Sequence, residues 1–578
     1  MNKWLPIILS SMFLLTACGG SSGSNQPADD DKDSIINTQD NCPLVANPNQ
    51  LDFDNDGIGD VCDTPVDQND VGSTYFIRTD GGDLTQCDGL NDKAYDGNNN
   101  QCAWNHPWLA LPPKGSTNTT DFKGGDTLVI GSGEYAIGYG AIPSPGVNNC
   151  IAANSPRWDC LSATIPSGTP SDPTRIMGKG YDSGCQSAPQ LWGTYRTQSV
   201  INIHDSNNII LNCLDITDHA QCSRFHKNDA LRCDDDIGVV AGYAYYGISA
   251  SDSKNVLIKN VQIHGLDTAI HAGRLEDWTL ENVVIRANKF AGWDGDIGAN
   301  SSNSGTMHFK GGRIEWSGCI EPYPSINNEP IGCISQDHGG YGDGLGTGPT
   351  AGNWIFDDFD FLKNVSDGLD LLYLISPGKA TIKGGRYEGN AGNALKIAGG
   401  GHHVENVEII GNCGFFDQTN KWPYMVNNCR ALGNALSLGG AISTHPAPDP
   451  TATIHLDNLS VWTEGDCAIV YDHGVNIGIK KSIFHGADDF NSPSEKSCFS
   501  YDIGALSPPI VEDTVIYNFK NGCSYGINTQ GEVGHCATDP MFISGGTTGS
   551  HINPSQSFNL KLSDQSPFKD YVPALGIK

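Results

Sequence analysis

A recurrence does most to limit what this chain can fold into. Beyond residue 200, short β-rich runs keep returning with Asn or Gly corners: "SKNVLIKNVQIHG", "LEDWTLENVVIRAN", "AGNWIFDDFDFLKN", "PGKATIKGGRYEGN", "GHHVENVEIIGN", "TATIHLDNLSVWTE". Each holds four to eight alternating or fully apolar positions and then a turn former, the pattern of a strand buried on one or both faces. Runs beginning at Lys254, Glu276 and His308 lie 22 and 32 residues apart, and those at Asn353, Lys379 and His403 lie 26 and 24 apart. Periods of roughly 20–30 residues mark a solenoid. Strand-only repeats exclude leucine-rich and helical arrays. The hairpin rhythm that a jelly roll or propeller needs is missing. The predicted fold class is therefore all-β, a right-handed parallel β-helix over residues 73–578. Segments 319–350 and 414–450 are too long for corners and are expected to project as loops over one side.

In a coil of this kind, one period of separation means stacking at the strand spacing of about 4.8 Å. Asp343-Gly344-Leu345 and Asp367-Gly368-Leu369 lie 24 residues apart, and Asp370 lies 27 from Asp343. One coil earlier come Asp294 and Asp296; one coil later comes Lys396, 26 residues after Asp370. The expected stack is Asp294, Asp343, Asp367/Asp370, Lys396. Leu395 and Ile397 should point inward, which turns Lys396 out beside the acids. Stacked carboxylates raise one another's pKa, and a calcium ion would remove the conflict. Spacing alone leaves a second reading open, in which the Asp residues only cap turn N–H groups. His271, Arg274, His338, His402 and His403 are further candidates for substrate contact, with Asp294.

The remaining sequence describes the setting. Asp and Glu exceed Lys and Arg by 66 to 34, a net charge of −32. Such a surface excludes nucleic acid as a partner and repels an acidic polymer unless a cation intervenes. Of 19 Cys, many form close neighbours: Cys42/Cys62, Cys87/Cys102, Cys150/Cys160, Cys319/Cys333, Cys413/Cys429, Cys467/Cys498 and Cys523/Cys536. Cys185, Cys213, Cys222 and Cys233 are left over. With no Cys-x-x-Cys present, they read as loop-closing disulfides of an exported chain, with connectivity open. The apolar run Trp4–Leu15 is too short to cross a bilayer and has the form of a signal-peptide core. It ends in Leu15-Thr16-Ala17-Cys18, which resembles the lipobox of bacterial lipoproteins. That resemblance implies a signal peptide over 1–17, acylation of Cys18, a tether over 18–28 and an outer-membrane location, with Gly19 following the anchor. Residues 29–66 carry Asp40-Asn41-Cys42-Pro43 and then alternating Asp52, Asp54, Asp56 and Asp60 around Gly57. Carboxylates spaced in this way converge on a hard cation. The stretch resembles thrombospondin type 3 repeats, which implies a calcium-stiffened spacer. The openings "TYFIRTDGGD" and "GGDTLVIGSGEY" resemble first turns of extracellular β-helix proteins.

Residues 341–420 resemble polysaccharide lyase family nine, the calcium-dependent pectate lyases. The resemblance rests on Asp343-Gly344-Leu345, Gly352-Asn353, Asn364-Val365-Ser366-Asp367-Gly368-Leu369-Asp370-Leu371, Gly392-Asn393-Ala394-Leu395-Lys396 and Asn412-Cys413-Gly414-Phe415-Phe416-Asp417. It implies that Asp343, Asp367 and Asp370 hold calcium, that Lys396 is the base, and that the partner is an acidic polysaccharide cut by β-elimination. Ser366 stands where the family has an Asp. The chain is expected to act as a monomer. Two other functions fit the same fold: a non-catalytic adhesin or glycan-binding surface protein, and a glycoside hydrolase or epimerase. A hydrolase would need paired carboxylates, for which Asp357-Asp358 and Asp294/Asp296 are candidates.

Overall fold

The computed structural model describes residues 29–32, 35–46, 62 and most of 72–569. Outside the description lie 1–28, 47–61, 63–71, 142–159, 220–243, 337–340, 440–448, 488–497, 520–527, 530–537, 546–557, 570–578 and several shorter stretches. Two compact units emerge, Met1–Val66 and Asp67–Lys578. In the first, Cys42 bonds Cys62, and the Cys42 amide donates to Asp40 Oδ1 at 2.8 Å. Cys18, Asp52, Asp54, Asp56 and Asp60 lie outside the described residues.

The second unit is a right-handed parallel β-helix, with 31 strands joined in one continuous sheet among the described residues. Its coils present three faces. On the first, Ala291–Asp294, Leu345–Gly346, Leu369–Leu371, Leu395–Ile397 and Leu436–Leu438 follow one another in parallel register. On the second, Asn353–Leu362, Lys379–Lys383, His403–Glu405 and Thr453–Asp457 do the same. On the third, Arg386–Glu388, Glu408–Gly411 and Ser460–Thr463 stack.

The alternation read in the sequence becomes columns of like side chains. Trp293, Leu345, Leu369, Leu395 and Leu436 occupy one inward column of the first face. Leu280, Phe309, Phe356, Ile382, Val404 and Leu456 occupy another on the second. All are buried, and each contributes about 1.5–3 kcal/mol by leaving water. Register matters because a slip of one residue would turn every column outward. The outward column beside the second-to-third corner helps to fix it. It reads Lys259, Glu281, Lys310, Asp357, Lys383, Glu405, Asp457, Lys480, Glu512. Signs alternate except at Glu405–Asp457, where His403 Nε2 lies 3.0 Å from Asp457. The corner itself passes through left-handed backbone, at Asn260, Asn282, Asp358, Asn406 and Asn458 among others. Asn and Asp tolerate that conformation, which explains the recurring "KN", "EN", "DD" and "DN" pairs.

Disulfides join Cys87–Cys102, Cys319–Cys333, Cys413–Cys429 and Cys467–Cys498, all near neighbours in sequence. Cys185 and Cys213, left over from that pattern, bond each other. The two long loops pack together: Ile320 and Tyr341 from the first share an apolar layer with Phe416 and Trp422 from the second and with Trp316, just before the first.

Candidate functional site

The first face holds the site because its outward column carries the chemistry. Going up the coils, that column reads Ser249, His271, Asp294, Gly346, Asp370, Lys396, Ser437. Leu395 and Ile397 are buried as expected and Lys396 faces out. Just before the strands, a second column runs along the corner. The Gly344 amide donates to the Asp367 carbonyl, the Gly368 amide to that of Asn393, and the Ala394 amide to that of Asn434. Asp343 therefore stacks on Asp367, and Asp370 stacks on Gly346. This corrects the single expected stack. The cause is a two-rung corner: its two Asp positions lie three residues apart, one in the turn and one on the strand.

These columns border a cleft of about 530 Å³ whose lining includes Asp294, Asp296, Asp343, Asp367, Asp370 and Lys396. Lys396 Nζ donates to Asp367 Oδ2 at 3.0 Å and to Asp370 Oδ2 at 2.9 Å. The other oxygen of each acid is tied to its own coil or the next. Asp343 Oδ1 accepts from the Asp367 amide, Asp367 Oδ1 from the Asn393 amide and side chain, and Asp370 Oδ1 from the Leu372 amide. Ser366 also bonds Asp343, so the residue that replaces an acid supports a neighbouring one. Gly346 leaves the opening above Asp343: a Cβ there would come 3.1 Å from Asp343 Oδ2.

Burial and the charges of Asp367 and Asp370 push the Asp343 carboxyl up to about 8. Burial, only partly offset by Lys396, raises Asp370 as well. Burial pulls the Lys396 ammonium down, but Asp367 and Asp370 more than offset it, so Lys396 sits above an ordinary lysine. The carboxylates thus hold Lys396 protonated. Between about pH 4 and pH 8 folded Asp343 keeps a proton that the unfolded chain has lost, so its contribution falls as pH rises through that window. In chelator, the melting temperature is expected to drop between about pH 5 and pH 8.5, and Asp343→Asn should flatten the drop. Equal slopes in thermal melts of the two proteins would contradict this.

Of the other expected residues, His271 lies next to the cleft, its Nδ1 3.1 Å from Asp294 Oδ2 and its ring stacked on Tyr246. Arg274 does not line the cleft. It forms a two-pronged pair with Asp252, both contacts at 2.6 Å. His402 is buried between the Ala380 amide and the Ala398 carbonyl, and His403 pairs with Asp457, so both serve the coil. Asp357 pairs with His308 at 2.6 Å on the second face, so Asp357-Asp358 is not a pair across the cleft. His338 lies outside the described residues.

Gln336, Thr347 and Tyr373 line the cleft without having been singled out from sequence. Gln336 lies three residues beyond the Cys319–Cys333 loop, which a buried ion cluster fastens. Glu321 accepts from Arg286 at 2.8 Å and lies 2.9 Å from His264 Nδ1, whose Nε2 is 2.9 Å from Asp215. Burial opposes the His264 charge, but the two acids prevail and raise it to about 9.

Comparison with known proteins gives three results. The thrombospondin type 3 repeat family matches residues 18–50, which overlaps the acidic module and ends before Asp52. No curated protein matches the chain. Among solved structures, the chain is similar to pectate lyase Pel9A, at 10% identity and TM-score 0.36, covering 86% of this chain and 91% of that one. It is also similar to the A-module of the Azotobacter vinelandii mannuronan C-5 epimerase AlgE4, at 12% identity and TM-score 0.38, covering 71% and 91%. A third is an alginate lyase from Paenibacillus sp. str. FPU-7, at 12% identity and TM-score 0.32, covering 63% and 90%.

Proposed function

We propose that this protein is a calcium-dependent polysaccharide lyase that cuts a uronate-containing polymer by β-elimination, with Lys396 as the base. The observation that carries the reading is one lysine bonded to two acids, Asp367 and Asp370, in a cleft shared with Asp343. The corner ladder supports a role for the acids beyond structure. Asn393 and Asn434 make the same side-chain bonds one and two coils later: Asn434 donates to Asn393 Oδ1, and the Cys467 amide to Asn434 Oδ1. Asparagine thus suffices for the ladder, so the buried carboxyl at 343 and the buried carboxylate at 367, which are costly, answer another need.

Oxygen donors of this kind suit calcium, and the raised Asp343 carboxyl marks a site short of positive charge. Asp343, Asp367 and Asp370 would hold the ion. Three acids fall short of calcium's six to eight oxygens, which leaves room for the substrate carboxylate. A calcium ion held there would supply charge neutralisation for both the acids and the enolate-like transition state. Carboxylates engaged in that way would no longer hold Lys396 protonated. Its amine then takes the proton from carbon 5 of the uronate. That C–H pair becomes the double bond to carbon 4, and the glycosidic oxygen leaves from carbon 4 and is protonated. In this reading Cys18 carries a lipid anchor at the outer membrane, and Asp52, Asp54, Asp56 and Asp60 bind calcium in the spacer.

The test is incubation of the purified protein with pectate, alginate and glycosaminoglycan, with calcium or with chelator. The expected result is the ultraviolet absorbance of unsaturated uronate, lost in chelator. Reducing ends without that absorbance would mean a hydrolase. Inverted uronate without cleavage would mean an epimerase, and binding without turnover an adhesin.

A further inference from the structure

The half of the cleft that faces the earlier coils has a different chemistry from the lysine corner. It is lined by Asp294, Asp296, Gln336 and Thr347, and the cleft has no Arg and no Lys other than Lys396 among its described lining residues. Gln336 and Thr347 are each only 7% exposed, yet Gln336 Oε1 and Thr347 Oγ1 have no hydrogen-bond partner among the described residues. Buried polar atoms are almost always satisfied, and three residues lining the cleft carry orphans among the described residues, the oxygens of Gln336 and Thr347 and the Trp293 indole N–H, which points to a ligand that both donates and accepts, as a hydroxyl does. Small residues keep the space clear. A Cβ on Gly348 would lie 3.2 Å from Asp296 Oδ1, and one on Gly295 would lie 3.0 Å from Thr347 Cγ2. The loop that precedes Gln336 is closed by the Cys319–Cys333 disulfide and tied to the coil through Glu321 and Arg286.

We infer that this half is a subsite for a neutral sugar next to the reacting uronate, so that the substrate is a polymer in which uronates alternate with neutral sugars. The inference rests on the lyase reading above. A second uronate here would set its carboxylate among Asp294 and Asp296 with no Arg or Lys among the described residues lining that half to receive it, and like charges brought together in a partly dry cleft repel. The hydroxyls of a neutral sugar instead donate to four acceptors: two carboxylates, one amide oxygen and one hydroxyl. A site whose buried polar groups are matched by substrate hydroxyls discriminates strongly against a partner that leaves them unpaired.

The experiment compares the full chain, with calcium, on two kinds of polymer. One is a uronate homopolymer, polygalacturonate or polymannuronate. The other alternates uronate with a neutral sugar, as in the rhamnogalacturonan backbone or unsulfated chondroitin. The expected result is kcat/KM at least about tenfold higher on an alternating polymer. Gln336→Ala and Thr347→Val should each raise KM on that polymer by about tenfold with little change in kcat, the signature of lost binding shared by ground and transition states. Thermal melts of both variants show whether the fold is intact, and Thr347→Val conserves volume if Gln336→Ala is unstable. Equal or faster cutting of the homopolymers would overturn the subsite and leave the lyase reading standing. Unchanged KM in both variants would overturn the assignment to Gln336 and Thr347. Unsaturated product from none of the polymers would overturn both the subsite and the lyase.

Discussion

Lys396→Arg is expected to reduce elimination by roughly two to four orders of magnitude, the range for loss of a general base, while the protein stays folded and still binds polymer. Arginine preserves the positive charge that Asp367 and Asp370 require, but its guanidinium does not give up a proton in proteins and so cannot then accept one. Lys396→Ala removes both properties. It leaves Asp367 and Asp370, both bonded by this one ammonium, with two buried carboxylates and no cation. Removing one partner of a buried pair is destabilising by about 3–5 kcal/mol. The two variants therefore separate chemistry from packing. A protein in which Lys396 only neutralises the acids would keep its turnover as Lys396→Arg. Full activity in that variant, measured as unsaturated uronate at saturating polymer and calcium, would remove Lys396 from the chemistry.

How much of this was visible in the sequence differs between the coil and the cleft. The coil was legible because its two signals are local. Leu395-Lys396-Ile397 alternates at the strand period, and Asn or Asp marks the corner where the chain turns through left-handed backbone, as at Asn406 and Asn458. The grouping of Asp343, Asp367, Asp370 and Lys396 was legible for the same reason, since one period along the chain is one step up the stack. The finer order was not. Distances of 24 and 27 residues both look like one coil, and only the register shows that Asp370 lies opposite Gly346 while Asp367 adjoins Asp343. A glycine opposite an acid is also silent in sequence, although Gly346 is what opens the cleft. Gln336 was invisible for a different reason. It sits on an insertion with no period, which Glu321 ties to His264 and Arg286, residues remote from it in sequence. Arg274 looked available for substrate contact because its pairing with Asp252 is itself a contact between coils, 22 residues apart.

Asp367 offers the sharpest separation of ladder from charge, because its side chain serves both. It is 1% exposed, and its Oδ1 accepts from the Asn393 amide at 2.6 Å and from Asn393 Nδ2 at 3.0 Å. Its Oδ2 accepts from Lys396. Asp367→Ala leaves those donors buried and unmatched and is expected to cost about 3–5 kcal/mol, seen as a large fall in melting temperature. Asp367→Asn keeps an oxygen where Asn393 needs it, as Asn393 itself does for Asn434. It also keeps Asp370 as a partner for Lys396. Its melting temperature should stay within a few degrees of wild type in chelator, because the lost ion pair is offset by one fewer buried carboxylate. Activity should nonetheless fall, and recover in part as calcium is raised, because one charged ligand is gone and calcium affinity follows the number of charged ligands. The diagnostic measurement is the calcium concentration for half-maximal elimination, taken alongside thermal melts. If Asp367→Asn melts like wild type and needs no more calcium, the acid belongs to the ladder alone. If it melts like Asp367→Ala, the charge itself is structural, and the argument from Asn393 and Asn434 does not extend to this coil.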